Sequence, residues 1–154
     1  MVTCRKADMN DIDDLVRLRI IFLKEALRSD TQDGDPDIAL SLHSYFKATM
    51  ADNSFISWLA LDGNRIVGTS GLCFYQLPPS FKNPTGDNAY IMNMFTDPQY
   101  RGQGIAQMLF SKVVSEAEQR GYKRIVLHAT EMGRPVYRKF GFKETDDEMT
   151  FEVK

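Results

Sequence analysis

The stretch Thr96-Asp97-Pro98-Gln99-Tyr100-Arg101-Gly102-Gln103-Gly104-Ile105-Ala106 constrains this chain more than any other. An apolar run over 89–95 leads into it, and a long amphipathic pattern leaves it. A buried strand therefore feeds a glycine-rich turn, and the turn opens a helix. Such a turn presents successive backbone N–H groups at a helix N-terminus, where the helix dipole favours negative charge. Gly102 and Gly104 carry no Cβ, so a ligand can come close to the backbone. The pattern reads as a cradle for a phosphate or pyrophosphate.

Two well-known cradles do not match. A Walker loop ends in Gly-Lys-Ser/Thr, whereas Gly104 is followed by Ile105. A dinucleotide fingerprint needs Gly-x-Gly-x-x-Gly, and Gln107 stands at its third small position. What fits is Arg/Gln-x-x-Gly-x-Gly/Ala, as Arg101-Gly102-Gln103-Gly104-Ile105-Ala106.

The flanking pattern is mixed α and β. Residues 2–5 read as a short strand. Asp8 or Asn10 can cap a helix carrying Ile12, Leu15, Val16, Leu18, Arg19, Phe22, Leu23 and Ala26 at helical spacing. The polar stretch 29–36 reads as a loop, and Ile38, Leu40, Leu42, Tyr45, Phe46 and Met50 mark a second helix. Residues 55–61 and 65–75 form a hairpin about Asp62-Gly63-Asn64. Residues 76–88, with Pro78, Pro79, Pro84 and Gly86, read as a long structured loop. A strand over 89–96, a helix over 102–120 ended by Gly121, and a strand over 124–129 make a right-handed βαβ unit. A short helix over 135–140 stops at Gly141. Strands over 142–145 and 149–153 flank the acidic turn Asp146-Asp147-Glu148.

Composition narrows the class. A chain of 154 residues, 43% hydrophobic, suits one domain with a real core. Its net charge of −2 supplies no basic field, which argues against nucleic acid. Cys4 and Cys73 make no metal spacing and no disulfide framework, which fits a reducing cytoplasm. The start lacks the apolar core of a signal peptide, and no apolar run approaches the roughly 20 residues of a membrane span.

The element order and the glycine turn together resemble the GCN5-related N-acetyltransferases, the GNAT superfamily, over nearly the whole chain. The hairpin Asp62-Gly63-Asn64-Arg65-Ile66-Val67-Gly68 is similar to the family's turn between its second and third strands. Pro135-Val136-Tyr137-Arg138-Lys139-Phe140-Gly141-Phe142 is similar to its Ala-x-x-x-Tyr-Glu-Lys-x-Gly-Phe segment, with Arg138 in place of the common glutamate. Thr130 stands where the family often has asparagine. The resemblance implies an α/β (α+β) fold. Its mixed central sheet would have about seven strands, splayed between the fourth and fifth and flanked by about four helices. One GNAT domain would span residues 1–154.

The same resemblance implies acetyl-CoA as cosubstrate, no metal, and direct transfer of acetyl to an amine in a ternary complex. The acceptor would be a small-molecule amine, a peptide N-terminus or a lysine; a homodimer is left open. Backbone N–H groups of Arg101, Gly102, Gln103, Gly104, Ile105 and Ala106 would hold the pyrophosphate, with the Arg101 side chain pairing with phosphate or solvent. Met94, Phe95 and Thr96 would offer backbone groups to the pantetheine arm, which is an amide chain and can pair like an added strand. Thr130 would make a further cofactor contact. Tyr137 would be the general acid, since a phenol near the sulfur can protonate the leaving thiolate.

Other roles stay open. Glu25, Asp87, Glu131 and His128 are candidates for the general base. Glu25, Asn93 and Glu131 are candidate acceptor contacts, and Asn93 alternatively bridges a strand bulge. The 76–88 loop and the first two helices would wall the acceptor site. Cys4 and Cys73 read as core residues, because nothing pairs either with a base. Two rival readings remain: a GNAT-like domain that binds CoA without turnover, and a nucleotide-binding domain with an unusual loop.

Overall fold

The computed structural model describes residues 1–27, 37–145 and 148–154. The loop expected over 29–36 and Asp146-Asp147 of the acidic turn lie outside the described residues. The elements run β1 (Val2–Lys6), α1 (Ile12–Leu27), α2 (Ile38–Ala51), β2 (Phe55–Asp62), β3 (Arg65–Gln76), β4 (Asp87–Thr96), α3 (Ile105–Gln119), β5 (Ile125–Leu127) and α4 (Arg134–Phe140). The strands form one sheet in the order β1-β2-β3-β4-β5. The first four pair antiparallel and β5 joins β4 in parallel.

Each face of the sheet carries its own core. On one face, Ile12, Leu15 and Val16 of α1 and Phe46 of α2 pack on Phe55 and Leu59 of β2. The i, i+3, i+4 spacing of those α1 residues is what places them on a single stripe. On the other face, Leu109, Phe110, Val113 and Ala117 of α3 have no exposed surface. They pack in two clusters with Ile56, Ala60, Val67, Leu72, Ala89 and Ile91 of the sheet.

The entry to α1 is fixed by charge as well as by apolar contacts. Asp8 caps the 3-10 turn Met9–Asp11 in a capping box with Asp11. The Arg5 fork donates to both Asp11 carboxylate oxygens at 2.8 and 2.9 Å, and the Asp8 N–H donates at 2.7 Å. The Arg5 bond holds the buried Asp11 carboxyl below the usual carboxylate range. At the sheet's opposite face, burial pushes the Glu116 carboxyl up. Bonds from Lys6 (2.8 Å) and Arg120 (3.1 Å) outweigh that and leave it below its ordinary value. A lowered folded-state pKa gives stability that is present above the unfolded pKa, near 4, and lost as pH falls through the folded value. The thermal midpoint should therefore be flat from neutral pH down to about 5 and fall below about 4. Asp11→Asn should cost about 1–3 kcal/mol at pH 7 and soften the acid fall. Equal midpoints for the variant and the parent at pH 7 would refute this account of Asp11.

The described residues hold five strands, not about seven. Residues 142–145 and 149–153 join no ladder, although Met149, Phe151 and Val153 alternate as a strand would. The reason is local. The Phe142 N–H donates back to the Tyr137 carbonyl, closing α4 instead of starting a strand. With β5 only three residues long, its outer edge carries no partner among the described residues. Met149, Phe151 and Val153 are left largely exposed. The long loop is also shorter than expected. β3 and β4 pair as far as Gln76 and Asp87, and the Leu77 N–H donates to the Gly86 carbonyl. That loop precedes β4, whereas the glycine turn follows it, so the two stand at opposite ends of the strand.

Candidate active site

β4 delivers the chain into the glycine turn. Asp97 caps the 3-10 turn Pro98–Tyr100, its Oδ1 accepting from the Gln99 N–H at 3.0 Å, and Arg65 donates to its Oδ2 at 2.7 Å. Gly102 and Gly104 then take φ of 77° and 79°, in the left-handed region where a side chain is strained. Gly104 becomes the N-cap of α3, and its carbonyl accepts from Met108. The N–H groups of residues 102–107 meet no acceptor among the described residues. A Cβ built on Gly102 or Gly104 would find no protein atom within 4 Å. Unpaired donors thus face open space at the positive end of α3, which is what an anion cradle requires.

The Arg101 side chain is not free for phosphate. Its Nε donates to the Thr96 carbonyl at 3.0 Å and its Nη2 to Glu25 Oε1 at 2.5 Å. The side chain is thus engaged by protein groups where the resemblance implies phosphate or solvent, and it occupies one of the two lone pairs of the Thr96 carbonyl. It also engages Glu25, so that carboxylate is not a free base. Arg101 instead ties the glycine turn to the end of α1.

Beside the turn the sheet opens. Pairing of β4 with β5 ends at Ile91 and Leu127, while β4 continues to Thr96. Past Ile91, where the resemblance implies a splay between the fourth and fifth strands, β4 has no ladder with β5. Against β3 the register shifts: Thr69 faces Phe95 but Gly71 faces Met92, so β4 carries one extra residue. Asn93 sits in this bulge at φ 56°. Thr69 Oγ1 donates to the Asn93 carbonyl at 3.0 Å, and Arg19 Nη1 donates to Asn93 Oδ1 at 2.6 Å. Asn93 therefore forms the bulge and turns its amide toward α1. Phe95 lines a cleft of about 350 Å³ with Leu18 and Ile21 of α1 and Ile66 of β3. Met94 packs toward α3.

Tyr137 is held by α4. Its ring packs on Phe110, centroids 5.1 Å apart, and lies so close over Gly133 that a Cβ there would come within 2.8 Å of it. The residue is 7% exposed, and its hydroxyl bonds to no described residue. Burial pushes the phenol up from its ordinary value, so it stays protonated at neutral pH. Thr130 heads the same helix: its hydroxyl accepts from the Gly133 N–H at 3.2 Å and its carbonyl from the Arg134 N–H at 3.0 Å. Arg138, the departure from the common glutamate, donates to Glu144 at 2.9 Å, and Arg134 donates to the same carboxylate. Both arginines pin the segment after α4.

Residues 20–142 match the model of the acetyltransferase (GNAT) family. The chain belongs to this family. It is similar to a predicted acetyltransferase from Clostridium acetobutylicum whose crystal structure contains acetyl-CoA. The two share 38% identity, with a TM-score of 0.92 over 99% of this chain and 96% of that one. It is also similar to a GCN5-related N-acetyltransferase from Ralstonia eutropha JMP134, at 30% identity and a TM-score of 0.84 over 99% of each chain. Among curated proteins, rat N-acetyltransferase 8B is 30% identical over 102 residues, 64% of this chain and 44% of that protein. The chain spans about half the length of that relative.

Seen as a GNAT fold, the structure gathers some of the expected site residues and sets others apart. Tyr137 belongs to the core cluster on the α3 face of the sheet, and Met94, two residues before the end of β4, packs against that cluster. Glu131 is exposed and meets no partner among the described residues. Asp87 opens β4, at the strand end away from the glycine turn. His128 is exposed. Its Nδ1 lies 2.8 Å from the Tyr90 hydroxyl and its Nε2 lies 3.1 Å from Glu148 Oε2. The Cys73 thiol sits 3.1 Å from the Tyr45 hydroxyl and 3.0 Å from Met92 Sδ, and burial pushes it up; burial does the same to Cys4. Sequence reasoning passed over Arg19 as a site residue. The signal was present, since a lone arginine stands within the apolar stripe of α1.

Proposed function

We propose that this chain is an acetyl-CoA-dependent N-acetyltransferase that passes the acetyl group directly to an amine bound at the same time. The observation that supports this reading most is the row of N–H groups over 102–107, unpaired and facing open space at the mouth of a splayed strand. In this reading the N–H groups from Gly102 to Ala106 hold the pyrophosphate, together with the dipole of α3, while the Arg101 N–H closes the preceding 3-10 turn on the Pro98 carbonyl. The Arg101 side chain orients the turn through Thr96 and Glu25 instead of touching the ligand. Backbone groups of Met94 and Phe95 on the unpaired edge of β4 accept the amide arm as an added strand. Thr130 has its hydroxyl hydrogen left to donate.

Bound acetyl-CoA supplies a thioester carbon open to attack by a neutral amine. A free N–H near Met94 polarises the carbonyl of that thioester. Tyr137 holds its proton at the phenol oxygen and donates it to the sulfur as charge grows there. Glu131 and Asn93 stand as candidate contacts for the acceptor, and the proton of its amine leaves by water or by a nearby carboxylate. No enzyme nucleophile is needed, because both thiols are held protonated by burial.

Thiol release from acetyl-CoA, followed across a panel of primary amines, tests the reading. CoA should appear only when an amine is present, with intersecting two-substrate kinetics. The double variant Cys4→Ala/Cys73→Ala should keep most of its turnover. A burst of CoA without amine, or parallel-line kinetics, would point to an acyl-enzyme. Tight acetyl-CoA binding with no release for any amine would favour a CoA-binding module.

A further inference from the structure

Arg19 stands apart from the other arginines. It projects from the inward face of α1 and is half-buried. The rest of the described arginines are ion-paired with a carboxylate or, like Arg124, exposed. Arg19 bonds to no carboxylate among the described residues. Its one recorded acceptor is the neutral amide oxygen of Asn93, at 2.6 Å, and its guanidinium lies 5.6 Å from the Phe22 ring centroid. The titratable groups that face it are Tyr45 from α2, Cys73 from β3 and Tyr90 from β4. Burial raises the pKa of all three, so at neutral pH none supplies a negative charge. Burial likewise works against the charge on Arg19 itself. A desolvated cation without a counter-charge is costly, and the cost is relieved when an anion arrives.

The fork is also aimed. Asn93 is held in a left-handed conformation that a side chain rarely adopts, and the bond from Thr69 to its carbonyl fixes the bulge. The bulge turns the Asn93 amide onto one N–H of Arg19, and the others meet no acceptor among the described residues. A guanidinium carries five N–H donors in a rigid plane that matches a carboxylate or phosphate bidentately. Arg19 lies six residues before Glu25, the partner of Arg101. That puts it about 9 Å along α1 from the glycine turn, on the sheet face that carries α1 and α2.

We propose that the amine acceptor carries a second, anionic group, a carboxylate or a phosphate, and that Arg19 and Asn93 bind it at the bulge of β4. This rests on the N-acetyltransferase reading above and names the substrate class of that site. The amine of such an acceptor extends from the bulge toward the splayed end of β4, and the anion anchors it.

Isothermal titration on the CoA-saturated chain tests the anion site without needing turnover. The probes are matched pairs: each α-amino acid against its α-amide, and O-phosphoethanolamine against ethanolamine. At least one anionic member should bind ten times more tightly than its neutral partner; the pair that does so tells carboxylate from phosphate. Arg19→Gln should reduce that preference to within about twofold and leave the neutral member unchanged. Arg19→Lys keeps the charge without the fork and should fall between, which guards against a folding defect in the glutamine variant. Equal binding of both members of every pair to the parent would overturn the proposal, and so would a preference that survives Arg19→Gln. Thiol release is then read on the same compounds. Selective binding with no release sinks the N-acetyltransferase reading and keeps the anion site. Equal kcat/KM for anionic and neutral amines keeps the enzyme and sinks the anion site.

Discussion

Gly104→Val should lower acetyl-CoA affinity at least tenfold, about 1.4 kcal/mol, in isothermal titration. Gly104 sits at φ 79°, and a Cβ there meets nothing in the protein. The added side chain therefore stays in the space that the proposed pyrophosphate needs, because no packing draws it elsewhere. The left-handed backbone makes valine strained as well, which costs about 1–3 kcal/mol of fold stability. Gly104→Ala separates the two effects: it carries the same kind of strain with less bulk, so its affinity loss should be smaller than valine's. Circular dichroism should show both variants folded. Unchanged affinity in the valine variant would rule out the cradle.

Tyr137→Phe should lower kcat by roughly 10²-fold, the low end of the general-acid range, with little change in KM. The ring remains to pack on Phe110 and over Gly133. Only the hydroxyl is lost, and no described residue bonds to it, so no buried partner is left unsatisfied. A loss confined to kcat follows because the donated bond strengthens only as charge develops on sulfur. Since burial raises the phenol, the group keeps its proton through neutral and mildly alkaline pH. Tyr137 should therefore add no falling limb to the kcat profile below pH 10. A variant that turns over at the parental rate while chemistry limits turnover would make Tyr137 a packing residue.

The amino-acid order by itself determined the glycine turn, because Gly102 and Gly104 after an apolar run and before an amphipathic one leave the backbone few options. It determined the central elements for the same reason. The periods of the apolar residues in α1, α3, β2, β3 and β4 are local properties, and so is the positive φ that Asp62-Gly63-Asn64 and Gly141 accommodate. The tertiary structure decided whatever depends on a partner distant in sequence. The alternation over 149–153 is a strand signal, yet a strand exists only where another edge completes its ladder, and β5 offers three residues. Arg101 belongs to the motif, but where its side chain goes was set by Glu25, which is 76 positions away. Asn93 could have faced a ligand or bridged a bulge. The extra residue in β4 put it in the bulge, and Arg19, 74 positions away, donates to its side chain. Backbone conformation is written locally in turn residues and periodicity. Which charge meets which follows only from how the helices are laid across the sheet.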